Sequence, residues 1–539
     1  MELININIEN KKNARGGHLI KWFIAGLIVL LMLGLSTIEV YAEGSLDENI
    51  KDVEDIDQNQ AQQTSEVIQK SRILGFENSD IGLDLTGFKE TLKIKAVTPD
   101  HFRFEEAGIR VDFMMDDLTK TPHKAYNNSV YSAGFIQTSD YTSAYEYDKM
   151  YLNGHRTHIY TFERKALKYG KGLKRHFAYI EVELESQVLL SLHIASEQTF
   201  NPDKWIERLR AKNDDQSLIE NYAISQIQNT ASVFKHETTQ AYFDDTFIES
   251  EDVTWGIFEP STHYELDYVH AIEQGTGIDL DIILEYYDLG YMPRLEKMKM
   301  LSEDDKVLEL TFQTSKYGTF NADALYEVLD GKHDATIDEL ISIIKAHDQP
   351  ILFRPNNEMN GDWCSYNAMY THKDAEVFRS FWIWLHDRFE ASDVENVIWV
   401  WNPNWGDFPY AGWNDYMNYF PGEKYVDVIG LTGYNTGTYY EAEEWRSFLD
   451  IYLPMLWEYD QHFDGFPYMI TEFGSSSTGG DKGQWIQNAF DQIEKLDIKA
   501  AVWWNHVDYD TQKGVVSRGY KFDDDPEVME IFRDKFYGK

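Results

Sequence analysis

From residue 251 onward the sequence predicts an α/β fold, a (β/α)8 TIM barrel. Three observations predict it: eight short apolar runs, helix-length amphipathic segments between them, and a span of about 290 residues, the length that eight strand-helix repeats need. The runs are VTWGIF (253–258), DIILEYY (281–287), VLELTFQ (307–313), PILFRP (350–355), NVIWVW (396–401), VDVIGLTGY (426–434), YMITEFG (468–474) and KAAVWW (499–504). They are continuously apolar, as parallel strands covered on both faces must be. DATIDELISIIKAH (334–347) and DAEVFRSFWIWLHDRF (374–389) place apolar residues at helical spacing. An open doubly wound sheet is the competing fold. It calls for a glycine-rich phosphate turn after the first strand, and WGIFEPSTHYE contains none.

The preceding 250 residues divide by composition. Residues 1–42 read as a signal peptide or a membrane anchor. A basic flank with Lys11, Lys12, Arg15 and Lys21 precedes fourteen apolar residues, Trp22 to Leu35. Cleavage after Ala42 and retention of 20–38 as an anchor both remain open, and both export the bulk of the chain. Residues 43–71 are acidic and lack aromatics, the composition of a flexible linker. Residues 72–200 hold four β-rich stretches, 91–97, 102–115, 157–166 and 177–195, and read as a small α+β accessory domain. Residues 201–250 read as a helical connector, with helix-like stretches at 202–212 and 217–227. No chemical motif stands out before 251, so the barrel is expected to fold and act without the accessory domain.

The 539 residues carry a formal charge of −43, which repels phosphate backbones and excludes nucleic acid as a partner. One cysteine, Cys364, excludes a disulfide scaffold and a multi-cysteine zinc site. The 15 Trp and 34 Tyr suit a flat, neutral, amphipathic ligand, beyond those that fill the core.

Barrel chemistry sits at the carboxyl ends of the strands. The polar residues there include Glu259, Asp288, Glu358 in RPNNEMNGDW, the segment WNPNWGD, Tyr434-Asn435, Glu472, and Asn505-His506. Glu358 and Glu472 end strands 4 and 7, so two carboxylates can flank one bond. Glycoside cleavage needs such a pair, one protonated to release the leaving oxygen and one ionised behind the developing oxocarbenium carbon. Crowding two acids raises the pKa of one and separates the roles. Glu285 and Glu309 fall inside their strands and read as structural. His263 and His506 read as structural histidines near the cleft.

RPNNEMNGDW (354–363) resembles the acid/base signature of family 26 glycoside hydrolases, and ITEFG (470–474) resembles that family's nucleophile strand. GLTGYN (430–435) and VWWN (502–505) are similar to its strand 6 and strand 8 endings. The likeness covers 251–539 and nothing before it. It implies a retaining mechanism, with Glu358 as general acid/base and Glu472 as nucleophile. It also implies that Tyr434 hydrogen-bonds Glu472, that Trp363 and Trp504 stack on sugar faces, and that Arg354 and Asn357 contact substrate. Trp503, by strand alternation, faces the packing between barrel and helices. Cys364 packs beside the site.

The reading is an exported endo-β-glycanase acting on a β-linked polysaccharide, in the medium or tethered to the outer face of a bacterial membrane. It calls for no metal, no organic cofactor and no protein partner, and touches membrane only through 20–38 if these stay uncleaved. Mannan is the first substrate expected, because it dominates the family. One departure qualifies this: mannan-cleaving members typically have His before the acid/base glutamate, and this chain has Asn357. A mixed-linkage β-1,3-1,4-glucan, another β-glucan or a xylan is the alternative. A surface polysaccharide-binding protein without activity is the rival from another class.

Overall fold

The computed structural model of the chain describes residues 72–89, 91–117, 139–143, 146–184, 188–212, 217–218, 226–230, 232–441 and 443–537. The signal or anchor segment and the acidic linker expected over 1–71 lie outside these residues. No helix among the described residues is long and apolar enough to cross a membrane.

The eight predicted strands close into a parallel barrel: Thr254–Phe258, Ile282–Asp288, Val307–Gln313, Ile351–Pro355, Val397–Trp401, Val428–Asn435, Tyr468–Ser475 and Ile498–Trp504, here strands 1 to 8. Strand 1 pairs with strand 8 through Thr254 opposite Ala500 to Phe258 opposite Trp504, so no edge is left open. The open-sheet alternative is thereby excluded. Alternation along each strand fixes two apolar layers. Ile282, Leu284, Leu352, Val400 and Val428 fill the barrel interior. Ile283, Leu310, Ile351, Phe353 and Ile429 face the surrounding helices. Truncating a fully buried side chain such as Leu352 costs about 2–5 kcal/mol. Phe243 and Phe247 join the interior cluster from the helix Glu237–Phe243 and the wide turn Asp244–Glu249, which run directly into strand 1.

The helix Phe448–His462 shows how the outer layer reaches the site. Ser447 and Asp450 form a reciprocal capping box at its start, worth about 1 kcal/mol. Ile451, Tyr452, Met455 and Tyr459 lie on its buried face. Tyr452 donates from its hydroxyl to the Gly433 carbonyl at 2.7 Å and reaches the Glu472 carbonyl at 3.4 Å. This helix therefore fixes the ends of strands 6 and 7 where the chemistry is expected.

Upstream, seven antiparallel strands form one sheet. Their spatial order is Ile94–Thr98, His101–Glu106, Ile109–Asp117, Val188–Ser196, His176–Leu184, His155–Glu163, Glu146–Leu152. Two predicted runs, 102–115 and 177–195, are each a hairpin of two strands. In the first, Ala107 and Gly108 both take left-handed backbone angles, as a two-residue hairpin turn requires. Compact division of the chain puts residues 90–206 and 221–539 in one unit. The sheet and the barrel thus belong to one compact unit.

The second unit comprises 1–89 and 207–220. Its described strands are Leu209–Ala211, Ile81–Asp84, Arg72–Leu74 and Ser217–Leu218, in that order. Helix was expected over 202–212. Only Asp203–Ile206 is helical, and Leu209–Ala211 pairs with Ile81–Leu83 instead. The fully buried Ile81 and Leu83 offer an apolar strand to pair with, and that outweighs a single further helical turn. In 217–227 the described Ser217–Leu218 and Ile227–Gln228 are strand, not helix; 219–225 lie outside the described residues.

Candidate active site

Glu472 reaches the barrel mouth because strand 7 breaks its alternation. Leu431 pairs with Ile470, but Thr432 pairs with Glu472, so Thr471 is an extra residue. Met469 faces the interior and Ile470 the helices. Thr471 points inward, its hydroxyl 2.9 Å from that of Thr432. Without the bulge Glu472 would face the helices. With it, Glu472 follows Thr471 inward and Phe473 returns to the outer layer.

Several groups hold the Glu472 carboxylate, the Tyr286 side chain among them. Arg354 Nη1 lies 2.6 Å from Oε1, Tyr434 donates from its hydroxyl to Oε2 at 2.5 Å, and Asn357 Nδ2 donates to Oε1 at 3.4 Å. Arg354 was expected at the substrate. It is instead fully buried, with Thr311 Oγ1 2.8 Å from its Nε and Asn402 Oδ1 2.9 Å from its Nη1. It lies on strand 4 inside the barrel, below the carboxylate it neutralises, and offers no atom to a ligand.

Glu358 follows strand 4 in a tight turn. Asn356 and Glu358 have φ of 51° and 52°, a left-handed geometry that costs non-glycine residues about 1–3 kcal/mol each. Backbone bonds hold it: Glu358 N donates to Asn402 O at 2.8 Å, and Gly361 N donates to Glu358 O at 2.9 Å. Asn404 Nδ2 donates to Glu358 Oε1 at 2.6 Å. Burial, and then the negative charge of Glu472, push the Glu358 carboxyl up to about 7. One acid is therefore proton-bearing near neutrality beside another that carries its own guanidinium.

Trp363 is 49% exposed, and its ring centre lies 5.4 Å from that of Phe408. A Cβ on Gly361 would come within 2.4 Å of that indole, so only glycine leaves room for it. Trp504 is partly buried, stacked on Phe258 at 5.3 Å and edge-on to Tyr434 at 6.0 Å. Trp503 faces the other way, its indole N–H donating to the Tyr520 carbonyl in the helix-side layer. Asn357 Oδ1 accepts from Gln313 Nε2 at 2.9 Å, which orients its amide toward Glu472. Cys364 is buried, with Sγ 3.7 Å from the Asn357 carbonyl, and burial raises its thiol far above the usual range.

The remaining strand-end acids serve their own loops. Glu259 accepts from Ser261 N at 2.8 Å, and Asp288 accepts from Gly290 N and Tyr317 N. Glu285 faces outward, with Tyr287 and His263 beside it. His506 sits among the rings of Phe258 and Trp504. Glu309 points into the barrel, 3.1 Å from Arg354 Nε, and burial pushes it up to about 8. Sequence reasoning named Glu309 as structural, and missed both Asn404 and the bulge at Thr471. Asn404 lies within WNPNWGD, where position alone does not distinguish it from Asn402.

The family model described as Glycosyl hydrolase family 26 matches residues 310–459, which include Glu358, Asn404 and Tyr434. Endoglucanase H of Acetivibrio thermocellus is 28% identical over 280 residues, 50% of this chain and 27% of that protein. A mannan endo-1,4-beta-mannosidase of Bacillus subtilis is 30% identical over 95 residues, 17% of this chain and 25% of that protein. The chain thus spans about a quarter of the length of these curated relatives. A solved modular endo-beta-1,4-mannanase from Cellulomonas fimi is 19% identical, covers 58% of this chain and 76% of its own, and has a TM-score of 0.43. The barrel itself rests on the strand order above, not on that likeness. Within the barrel, residues 310–459 are similar in sequence to glycosyl hydrolase family 26.

Proposed function

We propose that this chain is a retaining endo-β-glycanase that hydrolyses the backbone of a β-linked polysaccharide. The observation that carries the reading is the asymmetric pair: Glu358 pushed up to about 7 by burial and by Glu472, and Glu472 countered by Arg354 at 2.6 Å. Glu472 attacks the anomeric carbon and forms an ester to it. Glu358 gives its proton to the departing glycosidic oxygen. Glu358, now ionised, takes a proton from water as that water attacks the same carbon, and the bond to Glu472 breaks. Tyr434 and Arg354 stabilise the carboxylate before attack and after release. Trp363 offers an exposed ring face for sugar stacking. No step calls for a metal or an organic cofactor.

Mannan is the first substrate proposed, following the mannosidases among the relatives. A second reading, a mixed-linkage β-glucan, is favoured by Asn357 and by the 280-residue likeness to an endoglucanase. Asn357 lies against Glu472, where the 2-hydroxyl of the attacked sugar would come. That hydroxyl is axial in mannose and equatorial in glucose. Incubating the full chain with mannan, barley β-glucan and β-1,3-xylan and identifying the oligosaccharides decides among them. Release of no oligosaccharide from any β-glycan, by folded protein, would favour the binding-protein rival. We further propose export, directed by the basic flank and Trp22–Leu35. Fractionation with amino-terminal sequencing tests it: a mature end near Glu43 or a membrane-bound full chain supports export, and full-length cytoplasmic protein refutes it.

A further inference from the structure

The segment that carries Glu358 and Trp363 does not end at the barrel. It runs on to His372 and Lys373, two consecutive non-glycine residues with φ of 59° and 60°. Left-handed geometry at two such neighbours persists only where surrounding contacts impose it. Those contacts come from the seven-stranded sheet. Tyr179 donates from its hydroxyl to the His372 carbonyl at 2.7 Å. Lys373 Nζ pairs with Glu181, both buried. Asp374 is gripped on both oxygens, by Arg110 Nη2 at 2.9 Å and Arg164 Nη1 at 2.8 Å. Burial alone would raise the Asp374 carboxyl, but the two guanidiniums hold it at about 2.

Internal bonds carry this anchorage back to the site. Asn367 Nδ2 donates to the Met359 carbonyl at 2.9 Å, one residue from Glu358. Tyr370 donates to the Asp362 carbonyl at 2.7 Å, one residue from Trp363. The sheet also holds the neighbouring loop after strand 5. Asp116 Oδ1 accepts from Gly412 N at 2.6 Å, and Arg103 Nη2 donates to Asn418 Oδ1 at 3.2 Å. In that loop Asn414 Nδ2 donates to the Asn360 carbonyl at 2.8 Å, and Asn404 donates to Glu358 itself.

We propose that the seven-stranded sheet is a positioning device for the general acid, with Tyr179, Asp116, Arg110 and Arg164 as its positioning residues. It clamps the two loops that set the backbone and the hydrogen-bond partner of Glu358. The inference rests on the glycanase reading for its catalytic consequence, but the clamp itself is a separate, measurable property. A spacer would leave such a turn free. Here a buried charged network crosses from sheet to loop, and breaking one member strands its partners without water.

The test uses the full chain, with Tyr179→Phe, Asp116→Ala and the double variant. Tyr179→Phe removes one oxygen and leaves the packing, so it folds even if the double variant does not. Misplacing Glu358 harms proton delivery in the first step. The value of kcat/KM, which reports that step, is therefore expected to fall at least tenfold in the double variant on the polysaccharide. On a dinitrophenyl glycoside, whose leaving group needs no proton, it should stay within about threefold. Asp116→Asn, which keeps an acceptor for Gly412 N, should restore the loss. Hydrogen exchange at the amides of 358–374 should accelerate in the same order. Equal losses on both substrates, or unchanged exchange in the folded variants, would overturn the clamp. If the wild type cleaves neither substrate, the glycanase reading fails, and exchange still decides whether the clamp exists.

Discussion

Arg354 lies between two carboxyl groups, 2.6 Å from Glu472 on strand 7 and 3.1 Å from Glu309 on strand 3. All three side chains are buried. A planar guanidinium with several donors suits this position, because it serves Glu472, Thr311 and Asn402 at once. Removing it leaves a buried charge uncompensated, a loss of about 3–5 kcal/mol. Arg354→Met should therefore lower the melting temperature and reduce turnover at least a hundredfold. Arg354→Lys should recover stability in part and activity little. Unchanged turnover in either variant would remove Arg354 from the account of Glu472.

Activity should fall on the alkaline side as Glu358 ionises. Its carboxyl sits at about 7, so the acid needed for leaving-group protonation is present below that pH and lost above it. The kcat/KM of the wild type should drop tenfold per unit above about 7. Asn404 bonds the charged form and draws this value down. Asn404→Ala should move the alkaline limb to higher pH. A limb that stays in place or moves down would contradict the assignment of Glu358 as the acid.

Glu309 should be neutral near pH 7, since burial pushes it up to about 8 against the pull of Arg354. A raised folded value gives stability that is full below the unfolded value and is lost as pH rises through the folded one. In wild type that loss spans about 4.5 to 8. Glu309→Gln, close to the neutral acid in shape, should flatten the fall in melting temperature across this window. Activity near pH 6.5 should stay within about threefold. A melting profile parallel to wild type would show that Glu309 is ionised throughout.

Gly361→Ala should act like a mutation of Trp363. The added carbon would stand 2.4 Å from the indole, whose exposed position makes displacement easier than backbone change. Losing a stacking platform is worth about 0.5–1.5 kcal/mol. Both Gly361→Ala and Trp363→Ala should raise KM on the polysaccharide up to about tenfold, with the melting temperature of Trp363→Ala unchanged. An unaltered KM in both would place the sugar elsewhere.

The barrel was legible because its strands are buried on both faces. Each observed strand lies within two residues of its apolar run. Glu358 and Glu472 were legible as strand-end acids in their motifs, and Tyr434 meets Glu472 as the resemblance implied. What the sequence hid has physical causes. Period-two reading places Met469 and Thr471 inward and turns Glu472 out; a bulge is invisible until strands 6 and 7 are paired. Arg354 read as a ligand contact because a motif gives neighbours in sequence, not depth in the barrel. The accessory sheet read as dispensable to the barrel because its contacts with the barrel loops run through Arg110, Arg164 and Tyr179, whose partners are some 200 residues away or more.

The account stands most directly on the stereochemistry of azide rescue. Glu358→Ala and Glu472→Ala are each given an activated aryl β-glycoside and sodium azide, and the anomeric configuration of the product is read by NMR. In Glu358→Ala the covalent intermediate still forms on Glu472, and azide, needing no base, attacks it from the opposite face. The expected product is the β-glycosyl azide. In Glu472→Ala azide enters the space left by the nucleophile, and the expected product is the α-glycosyl azide. Products of the same configuration from both variants, or undiminished hydrolysis in either without azide, would contradict the roles assigned to Glu358 and Glu472.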